Sequence, residues 1–182
     1  MATFPLLKPF RDYSEHEVVN LFALDASSGN RGQLVKMVNF DPDNHNNFGG
    51  SLPGVPFNAY SADYVTNAHV TIAGSGDASG VLGLLLYDVR LNLPYLNQPA
   101  NLAEPYRLAE QQVVPSGRTV PILSRGIVEI GGFAGTPAPG AGAYPAAGGT
   151  LRVAAAGSAG QVGTWLSSSG IDGYAILKVT AL

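Results

Sequence analysis

Arg125-Gly-Ile-Val-Glu-Ile130 and Gly173-Tyr-Ala-Ile-Leu-Lys-Val-Thr180 decide the fold class of this 182-residue chain. Both stretches are short and rich in β-branched residues, and Gln33 to Phe40 alternates polar with apolar. Period two is the signature of a half-buried strand; a helix would repeat near every third or fourth residue. Working outward, Arg118-Thr-Val-Pro-Ile-Leu123 leads into the first stretch after the tight-turn signal Pro115-Ser-Gly117. Gln161-Val-Gly-Thr-Trp-Leu166 and the break Ser167-Ser-Ser-Gly170 precede the second. Between them, residues 131–149 read as a Gly/Ala/Pro-rich loop before Thr150-Leu-Arg-Val153.

The same grammar continues towards the N-terminus. Val81 to Leu93 reads as a strongly apolar strand or strand pair behind the turn Gly74-Ser-Gly-Asp-Ala-Ser-Gly80, and Tyr64 to Ile72 alternates. Ser14-Glu-His-Glu17 favours one short helical turn, although the Val18–Leu24 segment behind it leans towards a strand. Gln33-Leu-Val-Lys-Met-Val-Asn-Phe40 alternates, and the turn 25–32 between these segments predicts a hairpin. Residues 41–60, dense in Asp, Asn, Gly and Pro, predict a long surface loop, and 94–105 a proline-broken connector. The expected fold is all-β: a small barrel or sandwich with long loops and an extended N-terminal arm. Residues 1–13 form the arm; residues 14–182 form a single β-rich domain, or two closely packed β lobes.

Composition agrees. Gly (23) and Pro (13) make up about a fifth of the chain, whereas charged residues are only 13% and hydrophobic ones 46%. Disorder needs the opposite balance, and a helical bundle needs long runs free of such breakers. A surface so poor in charge is expected to bury part of itself against a partner. Net charge is −3 with no concentrated basic footprint, which argues against nucleic-acid binding. With no cysteine there are no disulfides, thiolate metal sites or cysteine nucleophile. No apolar run approaches the length of a membrane helix, and the first residues do not read as a signal peptide.

In the arm, Pro5 and Pro9 stand among Phe4, Leu6, Leu7 and Phe10. Proline removes a donor and holds the chain extended, so such an arm packs on its own domain or reaches across to a neighbouring subunit.

The search for chemistry fails at each candidate. His16-Glu17-Val-Val-Asn20 begins like a zinc-protease motif but has Asn20 where the second histidine belongs. Asp41-Pro-Asp-Asn-His45-Asn-Asn47 resembles a calcium loop but has Leu52 in place of the closing glutamate. Gly74 to Gly80 lacks dinucleotide spacing and is followed by no phosphate-loop lysine. No nucleophile elbow appears, and the pairs Glu15/Glu17 and Asp41/Asp43 sit in polar, solvated contexts. Trp165, Tyr60 and Tyr64 suggest a sugar platform, against the commoner fate of a buried aromatic. The chain reads as non-enzymatic, with no cofactor and no metal.

Several phrases resemble virion structural proteins of tailed bacteriophages, particularly those infecting cyanobacteria. These are Lys8-Pro-Phe-Arg-Asp-Tyr-Ser-Glu-His-Glu-Val-Val-Asn-Leu-Phe-Ala23 with Gly32-Gln-Leu-Val-Lys36, Val81-Leu-Gly-Leu-Leu-Leu-Tyr-Asp-Val89, Glu110-Gln-Gln-Val-Val-Pro-Ser-Gly117 and Val120-Pro-Ile-Leu-Ser-Arg-Gly-Ile-Val-Glu-Ile130. The ending, from Ala143 to Val179, resembles small β-barrel capsid decoration, or cement, proteins. The resemblance implies a protein made in the host cytoplasm and carried on the outer capsid surface of the virion. There it would self-associate as a homotrimer, bind the major capsid protein and clamp neighbouring capsomers. Nothing in the sequence implies a nucleic-acid or membrane partner. The expected contact residues are Phe4, Leu6, Leu7, Phe10 and Tyr13 of the arm, Phe48 and Phe57 of loop 41–60, and Tyr144 of loop 131–149. Deleting residues 2–10 is expected to weaken attachment and leave the β-core folded. The alternatives are another virion component (head fibre, tail or baseplate) or a carbohydrate-binding β-module.

Overall fold

The computed structural model describes residues 6–8, 12, 14–20, 22–24, 28–38, 69–77, 79–90, 92–93, 98–99, 112–115, 119–154 and 160–181. Among these residues the regular structure is strand, as the alternation predicts, apart from single 3-10 turns at Glu15–Glu17 and Ala147–Gly149. The strands are β1 (Val18–Val19), β2 (Ala23–Leu24), β3 (Ser28–Gly29), β4 (Leu34–Met37), β5 (His69–Ile72), β6 (Val81–Leu85), β7 (Asp88–Arg90) and β8 (Asn92–Leu93). They continue with β9 (Gln98–Pro99), β10 (Val113–Pro115), β11 (Ile122–Leu123), β12 (Arg125–Ile130), β13 (Gly142–Pro145), β14 (Leu151–Arg152), β15 (Gly163–Trp165) and β16 (Ala175–Thr180).

A six-stranded sheet runs in the order β1-β11-β6-β4-β5-β2, and a five-stranded sheet in the order β12-β16-β15-β13-β14. A three-stranded sheet, β10-β7-β3, and the β8-β9 ribbon complete the pairing. Among the described strands, only the pairs β2–β5 and β10–β7 run parallel. The five-stranded sheet is thus built from the last third of the chain, around the two stretches that decide the fold. Its longest pairing, β12 with β16, holds register over six residues, from Arg125 opposite Thr180 to Ile130 opposite Ala175.

The six-stranded sheet is buried on both faces. Leu34, Leu84 and Leu123 join the core shared with Val128, Leu151, Trp165, Leu177 and Val179 of the five-stranded sheet. Their sequence neighbours Val35, Leu85 and Ile122 point the other way, into a second core with Val70 and Val89. A strand with no wet face has no position for a polar side chain, hence the unbroken apolar run of β6. Along β6 a bulge changes the alternation: Val35 pairs with Gly83 but Lys36 with Val81, leaving Leu82 as the extra residue. Val81 and Leu84 therefore share the first core, and Leu82 and Leu85 the second. The bulge requires glycine at 83: φ is +154°, and a Cβ there would lie 2.0 Å from the Leu123 carbonyl oxygen.

Three expectations of local structure change. The predicted hairpin does not form, because β2 pairs in parallel with β5 and β4 lies between β5 and β6. The intervening turn is drawn away from the sheet: β3 pairs with β7, and Gly32 N–H donates to Leu85 C=O at 2.7 Å. Val81 to Leu93 is three strands belonging to three sheets, β6, β7 and β8. The 131–149 stretch is not loop throughout, since β13 pairs with both β15 and β14. Its small residues permit that packing: Ala143 is fully buried opposite Gly163. The Ser14 segment meets both of its expectations, a 3-10 turn leading directly into β1. Ser14 Oγ accepts from His16 N–H at 3.2 Å, and Ser14 N–H donates to Glu17 Oε2 at 3.1 Å.

Candidate interaction surface

The outer edge of β12 is where the predicted arm meets the domain. Leu7 pairs antiparallel with Ile130 and Asp12 with Ile127, so the arm extends the five-stranded sheet past its last strand. Lys8 N–H donates to Glu129 C=O at 3.0 Å, Gly131 N–H to Leu6 C=O at 2.7 Å, and Ile127 N–H to Asp12 C=O at 3.0 Å. Leu7 and Asp12 are five positions apart but their partners only three, so the pairing breaks into two short contacts. Covering β12 in this way removes an unpaired edge.

Side chains anchor the first contact. Leu7 is 6% exposed and belongs to the larger core. Leu6 is half-buried against two glycines: a Cβ at Gly132 would stand 2.3 Å from Leu6 Cδ2, and one at Gly32 2.9 Å from Leu6 Cβ. Lys8 Nζ pairs with Glu129 Oε1 at 2.6 Å and with Asp172 Oδ2, and lies 4.4 Å from the centre of the Tyr174 ring. The hydrogen bond it donates to Asp172, then the one to Glu129, holds the Lys8 ammonium above its ordinary pKa. Lys8, with a second hydrogen bond from Tyr174 N–H, holds the Asp172 carboxyl below its own. Lys8 thereby ties the arm to the turn between β15 and β16.

Beside the second contact lies an open cleft of about 450 Å³ lined by Asp12, Ser14, Glu17, Arg125, Gly126, Ile127 and Lys178. Arg125 and Lys178 are exposed and, among the described residues, have no ion-pair partner. The cleft offers both signs of charge, and its only hydroxyl, Ser14 Oγ, is occupied as a cap. No base is hydrogen-bonded to a nucleophile there, and no three His, Asp or Glu side chains among the described residues converge as metal ligands. What the cleft presents is a mixed-charge, solvent-open surface with two exposed cations.

The third feature is apolar. Among the described residues only Met37, Val38, Leu166, Ile171 and Ile176 are large hydrophobics left exposed. Three of the five flank or cap the β15–β16 turn, where Leu166 N–H donates to Ile176 C=O at 2.8 Å and Ile171 is fully exposed.

Of the sequence-predicted contact residues, Leu6 and Leu7 come together at the β12 edge; Leu7 belongs to the chain's own core and Leu6 is half-buried against Gly32 and Gly132. Tyr144, in β13, is half-buried, its hydroxyl folded back over Gly142. Phe4, Phe10, Tyr13, Phe48 and Phe57 lie outside the described residues. Trp165 is fully buried, edge-on to Phe133 with centroids 4.9 Å apart, and so is not a sugar platform. Deleting residues 2–10 would take Leu7 out of the core, so it would not leave the domain untouched. Sequence reasoning missed Ile176 as a surface residue, although the alternation that puts Leu177 inside puts Ile176 outside with Lys178. Ile171 has no such signal, because turn residues have no period.

No protein-family model matches the chain, and no curated protein is similar to it. Among the described residues, no helix is long and apolar enough to cross a membrane.

Proposed function

We propose that this chain is a non-enzymatic structural protein of a tailed-phage virion. In this reading it binds the outer face of the capsid, as a homotrimer, and holds neighbouring capsomers of the major capsid protein together. The observation that carries the reading is the run of phrases between Lys8 and Ile130 that resembles virion proteins. A scaffold built from strands supports it by presenting fixed surfaces, and a rigid surface loses little entropy on docking. The exposed aliphatics of the β15–β16 turn offer apolar contact that does not depend on salt. Repetition over a symmetric shell would turn modest contacts into firm retention.

Co-sedimentation with expanded capsids stripped of this protein tests the reading. Saturable binding at a fixed ratio to the major capsid protein is expected, weakened by Ile171→Asp. Absence of binding by folded protein would overturn it. Labelling on intact particles separates a head position from a tail or baseplate one.

A further inference from the structure

We infer that the edge of β12 is an exchange site, able to receive the N-terminal strand of a second copy of this chain in place of its own. The seat is complete without reference to which copy supplies the strand. It consists of the outer edge of β12, the place in the core beside Ile130 that Leu7 fills, and the carboxylates of Glu129 and Asp172 that receive Lys8. Among the described residues the occupant is held by three backbone hydrogen bonds, the buried Leu7 side chain and the two ion pairs of Lys8, in two contacts with a break of register between them. Vacating the seat would expose both a strand edge and an apolar hole, and the best-matched filler for both is an identical arm. Exchange of an identical element conserves every contact, so its free-energy cost is confined to association.

A tethered arm competes at an effective concentration on the order of millimolar. Dilute protein is therefore closed on itself, and exchange sets in when copies are crowded, as on any densely covered surface. The inference does not rest on the capsid reading, and purified protein alone tests it.

The chain has no cysteine, so introduced pairs report without ambiguity. Leu7 and Ile130 are a non-hydrogen-bonded antiparallel pair, flanked by the Lys8–Glu129 and Gly131–Leu6 bonds, the closest Cα approach a sheet offers. A disulfide between these two positions requires the arm to be in the seat. Leu7→Cys and Ile130→Cys variants are mixed and oxidised from micromolar to millimolar concentration. The double variant serves as the folding control, and Leu7→Cys mixed with Ser79→Cys as the collision control. The expected result is a mixed dimer of the Leu7→Cys and Ile130→Cys chains, disulfide-linked between the two substituted positions. Its yield should rise with concentration, to at least about tenfold over the collision control near the tethered arm's effective concentration. A mixture that stays monomeric throughout, while the double variant closes its internal disulfide, overturns the inference. If the single variants do not fold, light scattering on the unmodified chain decides: a monomer at every concentration overturns it equally, as does a dimer that survives deletion of residues 2–8, whereas a dimer lost in a deletion variant that still shows a cooperative urea transition upholds it.

Discussion

Leu7→Ala should destabilise the domain by about 2–3 kcal/mol, although position 7 belongs to an arm that reads from sequence as an attachment device. Leu7 is 6% exposed within the main core. The substitution removes three carbon groups, worth about 0.8 kcal/mol each when buried, or roughly 2.4 kcal/mol of transfer free energy. Leu→Ala in a rigid site costs up to about 5 kcal/mol because a cavity remains. The arm, held by three backbone bonds, can close inward and recover part of that term. The loss is also bounded above by the free energy with which the arm docks, since beyond that point the arm simply leaves. Leu84→Ala provides the contrast: it is fully buried on a strand fixed from both sides, and should cost about 4 kcal/mol. Urea unfolding with a two-state fit measures both. Amide exchange at Gly131 and Ile127, whose N–H groups donate to Leu6 and Asp12, reports the arm separately and should accelerate in Leu7→Ala. Leu7→Ala within about 0.5 kcal/mol of the parent, the range of an indifferent surface change, with exchange unchanged at both amides, would refute the seated arm.

Gly83→Ala should cost more than about 3 kcal/mol or prevent folding, because its Cβ would sit 2.0 Å from the Leu123 carbonyl oxygen; urea unfolding or soluble yield measures it. The Lys8 tie should be sensitive to acid. Asp172 has a lowered pKa, so its contribution is complete above the ordinary value of 3.8 and disappears as pH falls through the depressed value. Lys8 has a raised pKa, so its contribution is complete below 10.5 and disappears as pH rises through the raised value. Gly131 exchange protection, compared with that of Asp172→Asn, should show the acid limb in the parent and a smaller one in the variant. Ile171→Ser should change stability by less than about 0.5 kcal/mol by urea unfolding, since the side chain is fully exposed.

What the sequence made legible was determined by how many faces of a strand are wet. The end of the chain was legible as a strand because β16 has one dry face and one wet one, and its burial alternates without exception from Ala175 to Thr180, although the exposed Ile176 hides that period in the sequence. In β6 both faces are dry, so the sequence there reports burial but neither register nor direction. The bulge at Leu82 left only a glycine as its trace, and a glycine in an apolar run does not announce which carbonyl it must clear. Partner choice was the least legible: the turn before Gln33 reads as a hairpin, and only the competing claim of β7 on β3 shows why it is not. The candidate surface divides the same way. The arm was visible from its prolines and apolar residues, whereas the Lys8 tie joins positions 121 and 164 residues apart and no local pattern encodes it.

The low charge of the chain is in keeping with this architecture. With the six-stranded sheet buried on both sides, much of the strand surface is internal, and few strand positions remain where a charge could be solvated. Among the described residues the exposed remainder is rich in Gly, Ser, Thr, Ala and Pro, and large exposed apolar side chains number five. At the described residues, any partner would therefore meet few large apolar anchors, three of them gathered at the β15–β16 turn. Binding energy concentrates in anchors of that kind rather than in contact area. The Lys8–Asp172 pair joins that turn to the arm, so a partner seated on the turn and an arm seated on β12 bear on the same side chains. Occupancy of either should then be felt at the other.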